Sequence, residues 1–264
     1  MSESIHAIIV AGGGVDLDKS SVAARYIQNH LDDLGIPYKN VSGRESTDGH
    51  SVVRTASEQH EEMLDYIHSV EKRSQILIIS QCMGTIAAHN TLNLNPIRSQ
   101  NTGLVVFSPP LNKPSELLSS PTSKRRRRDD DSQMKISEFQ DGHFGDFNKL
   151  DISWADIPSA YFEEANQAHD LKKHLKLSVE SGRAAIVAAQ NDWNQAAPQS
   201  IQEWRQVWSM QEQAQPLKNT IIIPNAGHSL NPTSEFIGHP NSTPQEEACK
   251  SVVNLGLSVL KETK

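Results

Sequence analysis

The stretch Ile76-Leu-Ile-Ile-Ser-Gln-Cys-Met-Gly84, followed by Thr85-Ile-Ala-Ala-His-Asn-Thr-Leu92, decides how this chain folds. A short aliphatic run ends, a turn of small residues follows, and a stretch compatible with a helix begins. The pattern predicts a strand, a sharp turn and a helix, with Cys82 at the tip. Such a turn holds its central residue in strained backbone so that the side chain projects outward. Residues two before and two after must then be small, because strand and helix backbones pass close together. Ser80 and Gly84 meet that demand. Ser80 is the weaker nucleophile candidate, because Ile78 would then flank the turn and is too bulky. The competing reading is a buried structural thiol, since free cysteine is among the most buried residue types.

Working outward, His6–Ala11 reads as a buried strand that ends in Gly12-Gly13-Gly14. Ser20 to Leu34 has helical spacing and is stopped by Gly35. Pro37 to Val41 is a weaker strand, and Val52 to Val70 a second helix. Gly103–Phe107 is the next strand, stopped by Pro109 and Pro110. Later come the strand Ala184–Ala189, a helix near Ala197 to Gln211, the strand Thr220–Ile223 and a helix from about Thr243 to Lys261. That last helix opens well, with Thr243 as cap, Pro244 in the first position and Glu246 and Glu247 at the positive end. Strands separated by helices predict an α/β fold, a mostly parallel sheet flanked by helices.

Residues 111–182 break the alternation. They are polar and charged at first, then helical around Ala160 to Leu177. The expected organisation is a core of residues 1–110 and 183–264 with an inserted cap or lid at 111–182. Within the insertion, a charged loop near 119–132 has no apolar periodicity and is expected to be mobile.

Composition narrows the function classes. At 264 residues the chain can bury a full core without staples. Two cysteines, Cys82 and Cys249, make no disulfide framework, which favours a reducing, cytoplasmic setting. The first residues carry no signal-peptide pattern, and no apolar run is long enough to span a membrane. A formal net charge of −7 gives no reason to expect nucleic-acid binding. The basic run Lys124–Arg128 is cancelled at once by Asp129–Asp131. No His-x-x-x-His or Cys-x-x-Cys spacing suggests a metal. A dinucleotide loop fails because Leu17 stands where the third glycine belongs, so no cofactor is expected.

A thiol nucleophile needs a base, and the base needs an orienting acid. His228 follows the strand Thr220–Ile223 in Pro224-Asn-Ala-Gly-His-Ser-Leu230. Asp192 follows the strand Ala184–Ala189 in Gln190-Asn-Asp-Trp-Asn-Gln195. Cys82, Asp192 and His228 thus come in that order, each just after a predicted strand, and ligands of parallel sheets bind at such carboxyl ends.

The turn Ser80-Gln81-Cys82-Met83-Gly84 resembles the Gly-x-Ser-x-Gly nucleophile elbow of the α/β-hydrolases, with a thiol as nucleophile and serine for the first glycine. The order nucleophile, acid, histidine is also that family's order. The resemblance covers most of the chain outside 111–182 and looks like a small member lacking the first antiparallel strands. A cysteine nucleophile is similar to dienelactone hydrolases and to some biosynthetic thioesterases and acyltransferases. The resemblance implies an oxyanion hole from the Met83 N–H and the Gly12 and Gly13 loop. Gln81, Trp154, Phe162 and Trp193 are the candidate substrate contacts. The expected reaction is acyl transfer or hydrolysis of a small ester, thioester or lactone, including one held on a carrier as a thioester. One alternative is a class I glutamine amidotransferase-like enzyme, but that family places a glutamate two residues after the histidine and this chain has Leu230. Another is a ligand-binding protein without catalysis, since fold alone does not fix function.

Overall fold

In chain order the elements are β1 (Ile5–Ala11), α1 (Val22–Asp33), β2 (Tyr38–Val41), β3 (Arg44–Thr47), β4 (His50–Val53), α2 (Ala56–Ser69), β5 (Gln75–Gln81), α3 (Gly84–Leu94), β6 (Thr102–Phe107), β7 (Gln133–Lys135), β8 (Ala155–Pro158), α4 (Leu171–Glu180), β9 (Ala184–Ala189), β10 (Thr220–Ile223) and α5 (Gln245–Glu262). They belong to a computed structural model that describes residues 4–12, 17, 21–47, 50–94, 101–109, 133–135, 155–158, 160, 164, 171–190, 219–232 and 243–262. The helix expected near Ala197 to Gln211 and the charged loop near 119–132 lie outside the described residues.

Six strands form one sheet in the order β10-β9-β6-β5-β1-β2, and every pairing in it is parallel. Side chains alternate across a strand, so the aliphatic runs supply two cores at once. Ala7, Ile9, Leu77, Ile79, Val105, Phe107 and Val187 face α1 and α5. Ile8, Val10, Ile76, Ile78, Leu104, Val106 and Ile186 face α2, α3 and α4. Leu77, Ile78 and Ile79 have no exposed surface, and burial of each such side chain is worth about 1.5–3 kcal/mol of transfer free energy. This is why the central strands read as unbroken apolar runs and not as an alternating pattern. Among the described residues no helix is long and apolar enough to cross a membrane.

Local signals set the element ends. Gly35 ends α1 with φ at 66°, and the Gly35 and Ile36 N–H groups donate to the carbonyls of Asp32 and Leu31. α2 starts later than the apolar spacing predicts, at Ala56 instead of Val52. Thr55 accepts from the Glu58 N–H while the Glu58 carboxylate accepts from the Thr55 N–H, which closes a capping box. The four residues His50–Val53 are therefore a strand.

A second sheet, order β3-β4-β8-β7, was not foreseen. β3 and β4 form a hairpin after β2, and β8 adds parallel to β4 with β7 beyond it. The insertion is thus stitched to the core by strand pairing. Its end also differs from the sequence reading. Helix α4 buries Leu171, Leu175 and Val179 against the sheet, so it is the ordinary helix before β9 and part of the core.

Candidate functional site

Cys82 joins β5 to α3 with φ at 50°, in the left-handed region that a residue bearing a Cβ enters at a cost of about 1–2 kcal/mol. Packing enforces it. The Cys82 N–H donates to the Phe107 carbonyl at 3.4 Å, while the Cys82 and Met83 carbonyls accept from the Thr85 and Ile86 N–H groups at 3.0 and 3.1 Å. On the other side the turn is wedged against the end of β1. A Cβ on Gly12 would lie 2.4 Å from the Met83 Cβ, and one on Gly84 would lie 2.9 Å from the Ala11 carbonyl carbon. Neither position tolerates a side chain. Ser80, where the resembling family has glycine, is wholly buried with its hydroxyl 3.5 Å from that of Thr85. Cys82 is half-buried, and Ser80 is shut away from any substrate.

The histidine loop is built as tightly. Asn225 and Leu230 take positive φ, Gly227 N–H donates to the Asn231 carbonyl at 2.7 Å, and Gln245 Nε2 donates to the Ser229 carbonyl at 2.7 Å. His228 is buried, and its carbonyl accepts from the Ser108 hydroxyl at 2.6 Å. Ser108 is itself held at a φ of 49°. Successive residues of one strand end therefore hold both parts: Phe107 binds the Cys82 turn and Ser108 binds the His228 loop.

Asp192, Trp193, Gly13, Trp154 and Phe162 lie outside the described residues. The last described residue before Asp192 is Gln190, whose side-chain oxygen accepts from the Asn225 N–H at 2.9 Å. The end of β9 is thereby tied to the start of the loop that holds His228. Gln81 ends β5 with its side chain buried, and its carbonyl accepts from the Gly12 N–H at 3.2 Å. The Gly12 N–H is thus already engaged, and this glycine contributes shape instead of a hydrogen bond. Among the described residues the Met83 N–H has no backbone acceptor. No group of three or more His, Cys, Asp or Glu side chains able to hold a metal occurs among the described residues.

Two contributors escaped the sequence reading. Ser108 follows a strand and precedes Pro109, which marks a turn but gives no hint of a bond to a histidine loop 120 residues away. Gln59 lies on α2, is 2 % exposed, and reaches the end of β1. A buried glutamine in a helix signals a polar duty, but the partner is visible only in three dimensions.

No protein-family model and no curated protein matches the sequence. Solved structures do. Est1E from Butyrivibrio proteoclasticus superposes with a TM-score of 0.57 at 13% identity, over 97% of this chain and 89% of that one. A pyrethroid hydrolase from Sphingobium faniae JZ-2 gives 0.54 at 12% identity, over 96% of this chain and 98% of that one. The siderophore hydrolase EstB from Aspergillus fumigatus gives 0.54 at 13% identity, over 98% and 92%. At such identities the likeness speaks for the backbone and not for the chemistry. Taken with the parallel six-stranded sheet and the turn at Cys82, it establishes that this chain has the α/β-hydrolase fold.

Proposed function

We propose that the chain is a thiol-dependent acyl hydrolase or acyltransferase acting on a small ester, thioester or lactone. The observation that carries this reading is the strained Cys82 at the tip of β5, with the His228 loop fixed by the adjoining residue of the same strand end. Two structural neighbours that are hydrolases by name support the class.

In this mechanism His228 takes the proton of Cys82, with Asp192 orienting the imidazole. The thiolate attacks the acyl carbon, and the Met83 and Gly13 N–H groups receive the oxyanion. Collapse expels the alcohol or thiol, which takes the proton from the imidazolium. Water, or another acceptor deprotonated by His228, then attacks the acyl-cysteine and restores the thiol. Histidine neighbours lower thiol pKa values, and thiolates attack activated acyl groups well. Thioesters and strained or conjugated lactones are therefore better substrates than amides. Gln81, Trp193, Trp154 and Phe162 are assigned to the substrate pocket, and the insertion that carries Trp154 and Phe162 to covering it. The substrate is a small molecule or an acyl group on a carrier thiol, met in the cytoplasm.

The test is a panel of acyl thioesters, lactones and aryl esters with mass detection on intact protein. An added acyl mass on Cys82, absent from Cys82→Ala, is the expected result. Release of product without acyl-Cys82, or turnover that survives in Cys82→Ala, sinks the thiol mechanism. A ligand retained unchanged points instead to the binding-protein alternative.

A further inference from the structure

We infer that Gln59 is a positioning residue for the carbonyl-activating side of the site, acting through the Ala11–Gly12 peptide. The inference rests on the acyl-transfer reading above. Gln59 sits on α2 and is almost wholly buried. Its Nε2 donates to two carbonyls, Ala11 at 2.6 Å and Ser42 at 3.1 Å. Those carbonyls belong to the ends of β1 and β2, just past the last paired residues Val10 and Val41. Where the ladder between the strands stops, the two protons of one amide continue it.

The consequence lies in the peptide plane. A trans peptide points its C=O and N–H in opposite directions. The Ala11 C=O is held by Gln59, and the Gly12 N–H of the same peptide is held by the Gln81 carbonyl at 3.2 Å. The plane is pinned at both ends. From the far side Gly43 closes in, where a Cβ would lie 2.8 Å from the Ala11 carbonyl oxygen. Gly12 in turn rests on Met83 and Gly84 with no room for a methyl group. Gln59 thus sets the position of the wedge on which the Met83 amide stands, and the direction in which the chain leaves Gly12. It touches neither Cys82 nor substrate. A carboxylate at this position would face two carbonyl oxygens, and an apolar side chain would leave both without their donor.

The test uses two reactions of the same thiol. Turnover of an acyl thioester develops an oxyanion. Alkylation of Cys82 by iodoacetamide does not. Gln59→Met keeps the length and removes the donor. Removal of an oxyanion donor outright costs about 10²–10³-fold, so displacement of one is expected to lower kcat by about 10–100-fold. KM and the alkylation rate should stay within about twofold of native. Equal losses of turnover and alkylation would mean general damage and overturn the inference, as would native turnover in a folded variant. Should Gln59→Met fail to fold, Gln59→Glu supplies the second reading. Its kcat relative to native should rise as pH falls and the carboxyl regains a donor; a ratio flat with pH overturns the inference. Acylation of native Cys82 is the control. If native protein is never acylated, the acyl-transfer reading fails and this inference with it. If native is acylated and Gln59→Met matches it, only the role of Gln59 falls.

Discussion

The turn at Ser80–Gly84 and helix α5 each hold one of the two cysteines, and they treat it in opposite ways. Cys249 has no exposed surface, and burial, with Glu246 a lesser cause, pushes its thiol up to about 12. Its backbone is ordinary helix, and it belongs to the same buried apolar cluster as Ala248, Val252 and Val253. Cys82 is half-buried and sits on strained backbone that three neighbouring segments hold in place. One residue type thus serves as a small apolar filler in one region and as a displayed group in the other. What separates them is backbone geometry and water access, not the side chain.

That contrast can be broken or sharpened by experiment. The largest effect expected is on turnover in Cys82→Ala, a loss of at least about 10⁴-fold with the fold intact, read by initial rates alongside circular dichroism. Survival of more than a few per cent of activity would make the two cysteines alike after all. Asp192→Asn should come next, losing up to about 10⁴-fold by disfavouring the productive histidine tautomer. If that variant is near native while another carboxylate proves essential, the acid has been misassigned.

Labelling compares the two thiols directly. At pH 8 a thiol held near 12 is only about one part in 10⁴ thiolate, and only the thiolate reacts. Iodoacetamide should therefore modify Cys82 at least about 100-fold faster than Cys249, as peptide mapping over time will show. Equal rates would place Cys82 among buried structural thiols.

Helix α3 carries the contrast further, because it begins at the elbow and ends in packing. His89 is buried and stacked on His174 of α4 with ring centroids 5.5 Å apart. Burial, then His174 and Arg183, lowers His89 to about 4. The unfolded chain therefore binds more protons between about 6.5 and about 4, and stability falls as pH drops through that window. The whole effect is about 3 kcal/mol, and His60, lowered chiefly by burial, adds in the same direction. Chemical denaturation at a series of pH values should show this slope, and His89→Gln should flatten most of it. An unchanged slope in that variant removes His89 as its source. The smallest effect belongs to Cys249→Ala, about 1 kcal/mol of stability with turnover within about twofold. A large activity loss there would tie the two regions together.

The strand β5, the turn at Cys82 and the loop at His228 were legible because each is local in sequence. The aliphatic run, the small residues flanking Cys82 and the Gly-His pair after a short strand each occupy fewer than ten residues. Thr55-x-x-Glu58 was equally local, and it marks the true start of α2 that hydrophobic spacing placed four residues too early. The second sheet was not legible. Its strands are three or four residues long and come from segments far apart in the chain, too short for an alternation to register.

By itself, then, the sequence determined the α/β architecture and the position of the strand–turn–helix that carries Cys82. These follow from periodicity and from small residues at fixed offsets, which are properties of neighbours along the chain. Only the tertiary structure decided that the Gly12 N–H is engaged by Gln81, that Ser108 holds the His228 loop, and that Gln59 ties β1 to β2. Each rests on hydrogen bonds between groups 17 to 120 residues apart. Such bonds exist because buried carbonyls and amides must find partners wherever packing has put them, and packing is not written in any one segment.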